Sequence, residues 1–349
     1  MISISFLMKR IWHMDKRAFF SKVEEIHKKT GKGRIGTIID MQRCAVRHGA
    51  GYIDYDLFEM YNLNEHERAT YLTRGRNNAI VKKYNNAGSF HIFENKSDFN
   101  ARFESFLNRE WIDAQASGKE AAIDFINRHS VIFSKPTCGA CGKGIEKVLA
   151  SEFGSAEECY SYLLSLEGPR IWEEQALQHP DMDKMYPGAI NTVRAVTLLI
   201  NGAPQLITAM LRIGNGKHVD NFNSGGMAAP VDVGSGIVSD FALDKQKTRF
   251  EKHPVTGTQI KGFALPDWEE AKALVLRACK VVPEMGYIGW DIAFTPDGPI
   301  LIEGNEFPGH DIYQLPEHTP SKIGIMPVFA EAERKAKEAA KENLKVAAV

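Results

Sequence analysis

"GWDIAFTPDGPILIEGNEFPGHD", residues 289–311, is the stretch on which the fold turns. Two short apolar runs, 291–295 and 299–302, flank Pro296-Asp297-Gly298, which reads as strand, turn and strand. Yet an acid opens the first run, and Glu303-Gly304-Asn305 closes the second. Carboxylates on strands that belong in a core are costly unless something neutralises them. Adjacent strands can bring Asp291 and Glu303 to one side, and Asn305, two residues beyond Glu303, faces the same way. Hard oxygen donors of this kind, with phosphate oxygens and water completing the shell, are what Mg²⁺ requires. The competing reading is a structural pair of surface acids at strand ends.

A second stretch points the same way. Val131-Ile-Phe-Ser-Lys135-Pro136 puts a lysine at the end of an apolar strand, and Thr137-Cys-Gly-Ala-Cys-Gly-Lys-Gly144 follows it, with glycines at 139, 142 and 144. Glycine lets backbone N–H groups approach phosphate oxygens, and Lys135 supplies a compact positive charge. The loop lacks the Walker ending of Gly-Lys-Ser/Thr leading into a helix, and a strand is expected after it. It therefore reads as a hairpin flap over a nucleotide. Two other readings compete: Cys138-Gly-Ala-Cys141 as a redox or metal pair, which has no second cysteine or histidine pair nearby, and a plain structural hairpin.

The surrounding chain has the length for two or three domains. It has 349 residues, 44% of them hydrophobic, enough for several cores. Lys plus Arg is 43 against 44 Asp plus Glu, a net charge of -1, so no chain-wide field directs it to nucleic acid or membrane. No apolar run has the length of a membrane span. The opening MISISFLMKRIWHMDKR has a short apolar piece followed by Lys9, Arg10, Lys16 and Arg17, with no small-residue cleavage site, which argues against a secretory leader. Five unevenly spaced cysteines fit a reducing cytoplasm better than a disulfide framework.

Residues 15–85 read as helices with turns, including 34–48 and 71–84. Ser89 to Phe93 is strand-like. Helices are expected over 98–107, 119–128, 156–166 and 266–282, with strands at 130–135, 144–150 and 170–174. Asn201-Gly202 marks a hairpin between 191–200 and 205–213. Glu331 to Val346 reads as a charged amphipathic helix. The expected division is a helical region 1–86, a small lobe 87–174, and a large lobe 175–349 that includes the C-terminal helix.

In order, these motifs resemble those of ATP-grasp enzymes: Lys135-Pro with a glycine-rich hairpin, the acidic segment Ile171-Trp-Glu-Glu-Gln-Ala176, Asn191-Thr-Val-Arg194, Asp291, and Glu303-Gly-Asn305. The resemblance is closest to the sugar-transfer-associated branch, related to alpha-L-glutamate ligases. Asp40-Met-Gln-Arg-Cys44, Tyr52 to Tyr61, 68–76 and Glu94-Asn-Lys96-Ser-Asp98-Phe99 extend it over roughly residues 35–325. Cys138 and Cys141 are unusual for such a flap.

The resemblance implies an ATP-grasp fold, two α+β lobes clamping ATP. Lys96 and Lys135 would contact the α- and β-phosphates. The flap with Cys138, Gly139, Gly142 and Gly144 would cover them. Glu173 would face the adenine amino group, with backbone near Glu174, Gln175 and Ala176 at the ring edge. Asp181 would take the ribose hydroxyls, with His179 and Asp183 as competitors, and Arg194 would sit at the γ-phosphate. Asp291, Glu303 and Asn305 would hold one or two Mg²⁺, or Mn²⁺. His218 and Asp220 in a polar glycine-bearing loop, and His310 and Asp311 just beyond the acids, are candidates for substrate contact. The implied activity is an ADP-forming carboxylate–amine or carboxylate–thiol ligase working through an acylphosphate on amino-acid, peptide or sugar-acid substrates. The alternatives are a small-molecule kinase and a low-turnover nucleotide-binding accessory protein of polysaccharide assembly.

Overall fold

The computed structural model describes residues 15–139, 142–216 and 225–347. Cys141, His218 and Asp220 lie outside the described residues, as does the opening apolar piece.

Two compact units divide the chain, Met1–Lys83 with Gly309–Val349, and Tyr84–Pro308. The C-terminal helix thus groups with the N-terminal helices and not with the lobe that begins near residue 175, and that expected joint falls inside the second unit.

The first unit is helical: α1 (Lys16–Thr30), α2 (Arg34–His48), α3 (Tyr52–Leu57), α4 (Glu65–Ala69) and most of α5 (Arg74–Tyr84), with the long Met326–Ala347 at the C-terminus. Asp15 caps α1 by accepting from the Ala18 amide at 3.1 Å, and Gly31 and Gly49 end α1 and α2 in the left-handed region. Phe19, Val23 and Ile26 of α1 pack with Met41 and Cys44 of α2 and with Tyr55 and Phe58. A polar node holds the packing in register: Arg68 donates to both Asp40 oxygens at 2.8 and 2.7 Å, and the Tyr55 hydroxyl donates to the same carboxylate at 2.7 Å.

The second unit holds two antiparallel sheets. The smaller runs β1 (Trp111–Asp113), β4 (Arg170–Glu174), β2 (Val131–Pro136), β3 (Glu146–Leu149) across its width. Its core joins Ile132 and Trp172 to Phe125 and Ile126 of the helix Gly118–Arg128 and Leu163 of the helix Ala156–Ser165. The larger sheet has the order β11-β10-β5-β6-β7-β8-β9, its far edge made of β7 (Met227–Val231), β8 (Ala242–Leu243) and β9 (Arg249–Phe250). At its centre are β5 (Thr192–Ile200), β6 (Ala203–Ile213), β10 (Tyr287–Thr295) and β11 (Gly298–Asn305). Asn201 and Gly202 both have positive φ, the mirror-image turn expected of Asn-Gly between β5 and β6.

One expected strand is helical. Residues 89–93 form the end of a short 3₁₀ turn and the helix His91–Glu94, followed by a second helix, Lys96–Arg102, whose first turn Asn95 caps at Ser97 and Asp98. Four residues are too few for periodicity to separate the two states. Here the asparagine caps at Asn86 and Asn95 favour the helix, and Phe93 and Phe99 join the core of the larger sheet.

Candidate active site

The acids of the opening stretch meet as adjacent strands. Asp291 on β10 is the register partner of Glu303 on β11 and, on its other side, of Arg194 on β5. Directly paired residues share a face of a sheet, so carboxylate, carboxylate and guanidinium line up side by side. Asn305 pairs with Gly289, two residues before Asp291, and faces the same way. Its amide donates weakly to the Gly289 carbonyl at 3.3 Å. The intervening glycine has a steric reason: a Cβ on Gly304 would meet the Phe93 ring at 2.9 Å and the Phe99 ring at 3.0 Å. Glu-Gly-Asn is thus the signature of a strand pressed against two aromatic rings while its flanking side chains face the other way.

Arg194 and Arg212 both converge on Asp291. Arg194 donates through Nε to one carboxylate oxygen and through Nη2 to the other at 3.0 Å, and Arg212 of β6 adds a bond at 2.7 Å. Burial alone would raise the Asp291 pKa, but the two guanidinium groups hold it well below the ordinary carboxylate range. Glu303 behaves in the opposite sense. Burial and the neighbouring Asp291 charge push its pKa up, so the two carboxylates resist sharing full ionisation. Two acids and an amide oxygen on one face, short of positive charge on the Glu303 side, suit a hard divalent cation. Among the described residues, no three His, Cys, Asp or Glu side chains cluster as a metal site, so the fit rests on this mixed set of two carboxylates and Asn305.

The small sheet supplies the lysines. Lys135 pairs with Ile171 on β4, which places it diagonally from Glu173, and its Nζ donates to the Glu173 carboxylate at 2.5 Å. Asn100 donates to that carboxylate at 2.8 Å, and Arg109 donates twice, at 3.2 and 3.3 Å. These four bonds match the four acceptor sites of a carboxylate. Burial would raise the Glu173 pKa, and Arg109 and Lys135 outweigh it and hold the group far below its ordinary value. Arg109 also donates to the Leu301 carbonyl of β11 at 2.6 Å, so the node ties the small sheet to the strand that carries Glu303.

Lys96 starts its helix one residue after the Asn95 bridge to Cys138. Its backbone amide donates to the Thr137 carbonyl at 2.8 Å and its Nζ to the Gly139 carbonyl at 2.9 Å. Burial depresses its pKa, and Lys135 adds to that effect while Glu303 and Glu173 oppose it. Lys96, Lys135, Glu173 and Glu303 therefore share one electrostatic neighbourhood. Gly139, Gly142 and Gly144 all have positive φ. Arg170 braces the root of the loop, donating to the Ser134 hydroxyl at 2.7 Å, to the Ser134 carbonyl at 2.9 Å and to the Gly144 carbonyl. Cys138 is exposed and free.

Beyond β4 the chain runs through Gln175 and Ala176 without regular structure. The His179 amide then donates to the Phe294 carbonyl at 2.7 Å, pinning this segment to β10. Asp181 is half-exposed and pairs with Lys184 at 2.6 Å; Asp183 accepts from Gln178 at 2.8 Å. His310 and Asp311 belong to the other compact unit, where the His310 ring lies 2.9 Å from the buried Asp54 carboxylate.

The profile for "Sugar-transfer associated ATP-grasp" matches residues 75–322, well over half of the chain. The chain belongs to this ATP-grasp family. The two-sheet α+β architecture, with a helical N-terminal region, is the ATP-grasp fold. Among curated proteins, none matches the sequence. Among solved structures, the D-alanine–D-alanine ligase from Coxiella burnetii aligns at 14% identity with a TM-score of 0.41, covering 75% of this chain and 62% of that one. The ATP-grasp ligase PsnB complexed with minimal precursor, Mg and ADP aligns at 16% identity and 0.40, covering 73% and 62%. N5-carboxyaminoimidazole synthase from Aspergillus clavatus aligns at 10% and 0.39, covering 63% and 46%. The chain thus spans less than two thirds of each of these three.

Three residues of this cluster carry little signal in the sequence. Arg212 is the one charged residue of β6, an arginine at the end of an apolar run, and that isolation is its only mark. Arg109 and Asn100 sit in ordinary polar stretches, and their role depends on Glu173, which is distant in sequence.

Proposed function

We propose that the chain is an ATP-dependent ligase that activates a carboxylate as an acylphosphate and joins it to an amine, releasing ADP and phosphate. The observation that carries this reading is the in-register row Glu303–Asp291–Arg194, with Arg212 beside it and Lys96 and Lys135 in the same electrostatic neighbourhood. Phosphoryl transfer needs positioning and charge neutralisation more than covalent chemistry, and this set supplies both.

In this reading Asp291, Glu303 and Asn305 hold Mg²⁺, which when bound neutralises phosphate charge. Lys96 and Lys135 contact the phosphates, and the glycine-rich loop 137–144 covers them with backbone N–H groups. Glu173 orients Lys135, since its own acceptor sites are filled, and the backbone of Glu174 to Ala176 takes the adenine edge. Asp181 reaches the ribose. Arg194 and Arg212 offer positive charge to the phosphoryl group in flight. A substrate carboxylate oxygen attacks the γ-phosphorus as its bond to the ADP oxygen breaks. The amine nitrogen then attacks the acyl carbon and phosphate leaves. The amino-acid, peptide or sugar-acid class of carboxylate belongs to the same proposal.

The test is product analysis. Purified protein with ATP, Mg²⁺ and a panel of amino acids, sugar acids and amines is assayed for ADP and phosphate, with mass spectrometry of the products. A new amide formed in step with ADP and phosphate is expected. A stable phosphorylated product with no free phosphate makes the protein a kinase instead.

A further inference from the structure

Helix α2 has two apolar faces. Met41 and Cys44 point into the helical core with Thr37 and His48. At about 100° per residue, Ile35, Ile39 and Val46 fall within roughly 40° of one another and nearly opposite that buried face. They are exposed by 76%, 53% and 49% respectively. Large aliphatic side chains gathered in one outward stripe are unusual on a surface that meets only water. Phe20 of α1 and Ile53 of α3 are exposed as well, at 58% and 63%.

The charge around this stripe is distinctive. Residues 16–48 contain nine Lys and Arg and three Asp and Glu, a net +6 in a chain whose total is -1, so the remainder carries -7. Some of these cations are spent internally: Lys22 on Asp56, Lys29 on Glu59, Arg34 on Glu24 and Arg47 on Glu65. Lys16, Arg17, Lys28 and Arg43 are exposed and make no ion pair among the described residues. Arg43 lies on the helix wheel about 40° from Ile39, at the edge of the stripe. Charge concentrated at one end of a nearly neutral chain points to an anionic partner.

We propose that α1 and α2 dock the protein on an anionic lipid surface, with Ile35, Ile39 and Val46 entering the boundary between headgroups and acyl chains. Exposed cations, Arg43 at the edge of the stripe among them, meet the lipid phosphates. The aliphatic stripe selects lipid over nucleic acid, because phosphodiester contacts use the cations and have no use for three exposed aliphatic side chains. The attachment is peripheral: no helix among the described residues is long and apolar enough to cross a membrane.

The experiment uses the full chain with vesicles of phosphatidylcholine alone or of phosphatidylcholine mixed with phosphatidylglycerol, read by co-sedimentation. The protein is expected to sediment with the phosphatidylglycerol vesicles, to stay in solution with neutral ones, and to be released by salt. The variant Ile35→Ser, Ile39→Ser, Val46→Ser is expected to bind about tenfold or more weakly. Arg43→Gln is expected to bind about fivefold more weakly, the factor that corresponds to roughly 1 kcal/mol per basic residue. Both variants change exposed positions, so their circular dichroism and melting midpoints should match the parent. Failure of the parent to bind anionic vesicles overturns the proposal, and so does equal binding by the triple variant. If the parent ignores vesicles but shifts RNA, the basic helices serve nucleic acid. If it ignores vesicles but forms a dimer that the triple variant dissolves, the stripe is a subunit contact.

Discussion

Replacing Glu173 by glutamine separates two roles that the same carboxylate could have. In the structure the carboxylate is 3% exposed and receives Lys135 at 2.5 Å, Arg109 at 3.2 and 3.3 Å and Asn100 at 2.8 Å. Glutamine keeps the shape and removes the charge. The Arg109 guanidinium is itself nearly inaccessible, so a buried cation loses its partner. Removing one member of a buried pair costs about 3–5 kcal/mol. For a unit of this size that is a fall in melting midpoint of roughly 6–20 °C without any nucleotide. The sign with pH follows from the depressed Glu173 pKa. Its stabilisation is full above the ordinary glutamate value of 4.5 and is lost as pH falls through the lower folded value. The gap between parent and Glu173→Gln should therefore be widest near neutral pH and narrow in acid. Thermal unfolding of the nucleotide-free protein by circular dichroism, from pH 7 down to about pH 2, measures it. A variant that melts within 2 °C or so of the parent at pH 7, yet binds ATP poorly, would refute the reasoning and return Glu173 to a direct contact with adenine.

Three further outcomes are expected. Glu303→Gln should cut ATP turnover by about a hundredfold or more. Because burial and Asp291 raise the Glu303 pKa, the parent loses stability as pH rises above the ordinary carboxyl range; the nucleotide-free variant should therefore melt higher than the parent near pH 8, and equal midpoints would count against the carboxylate pair. Arg212→Met should lower kcat by about a hundredfold while the far-ultraviolet spectrum is unchanged, and a rate near that of the parent would leave Arg212 as a structural partner of Asp291 only. Amides of the 137–144 loop should gain hydrogen-exchange protection with a non-hydrolysable ATP analogue and Mg²⁺, and less when Mg²⁺ is chelated; identical protection in all conditions would make the loop a rigid hairpin.

What the sequence made legible was local. Asp291, Glu303 and Asn305 could be placed on one face because strand alternation is geometric, and the register of β10 with β11 joins the two acids directly. Asn201-Gly202 specified its hairpin because few residues tolerate that backbone. The hairpin after Lys135 was legible from glycine spacing in the same way. What escaped was decided by distant partners. The resemblance sets Glu173 against the adenine amino group, whereas in the structure its carboxylate accepts from Asn100, Arg109 and Lys135. Arg212 gains meaning only from the strand order that sets β6 beside β5. The short stretch 89–93 was ambiguous because five residues fit either period, and its caps and tertiary contacts settled it as helix. His310, a candidate for substrate contact by its position after the acids, has its ring 2.9 Å from the Asp54 carboxylate, a partner that no local pattern announces.

The most direct test of the account is equilibrium binding of a non-hydrolysable ATP analogue by calorimetry, with Mg²⁺ and with a chelator, for the parent and for Asp291→Asn with Glu303→Gln. The account predicts Mg²⁺-dependent binding by the parent and loss of that dependence in the double variant, whose lysines and loop are intact. Parent and double variant binding the analogue with the same Mg²⁺ dependence, or a parent that binds no nucleotide at all, would contradict it.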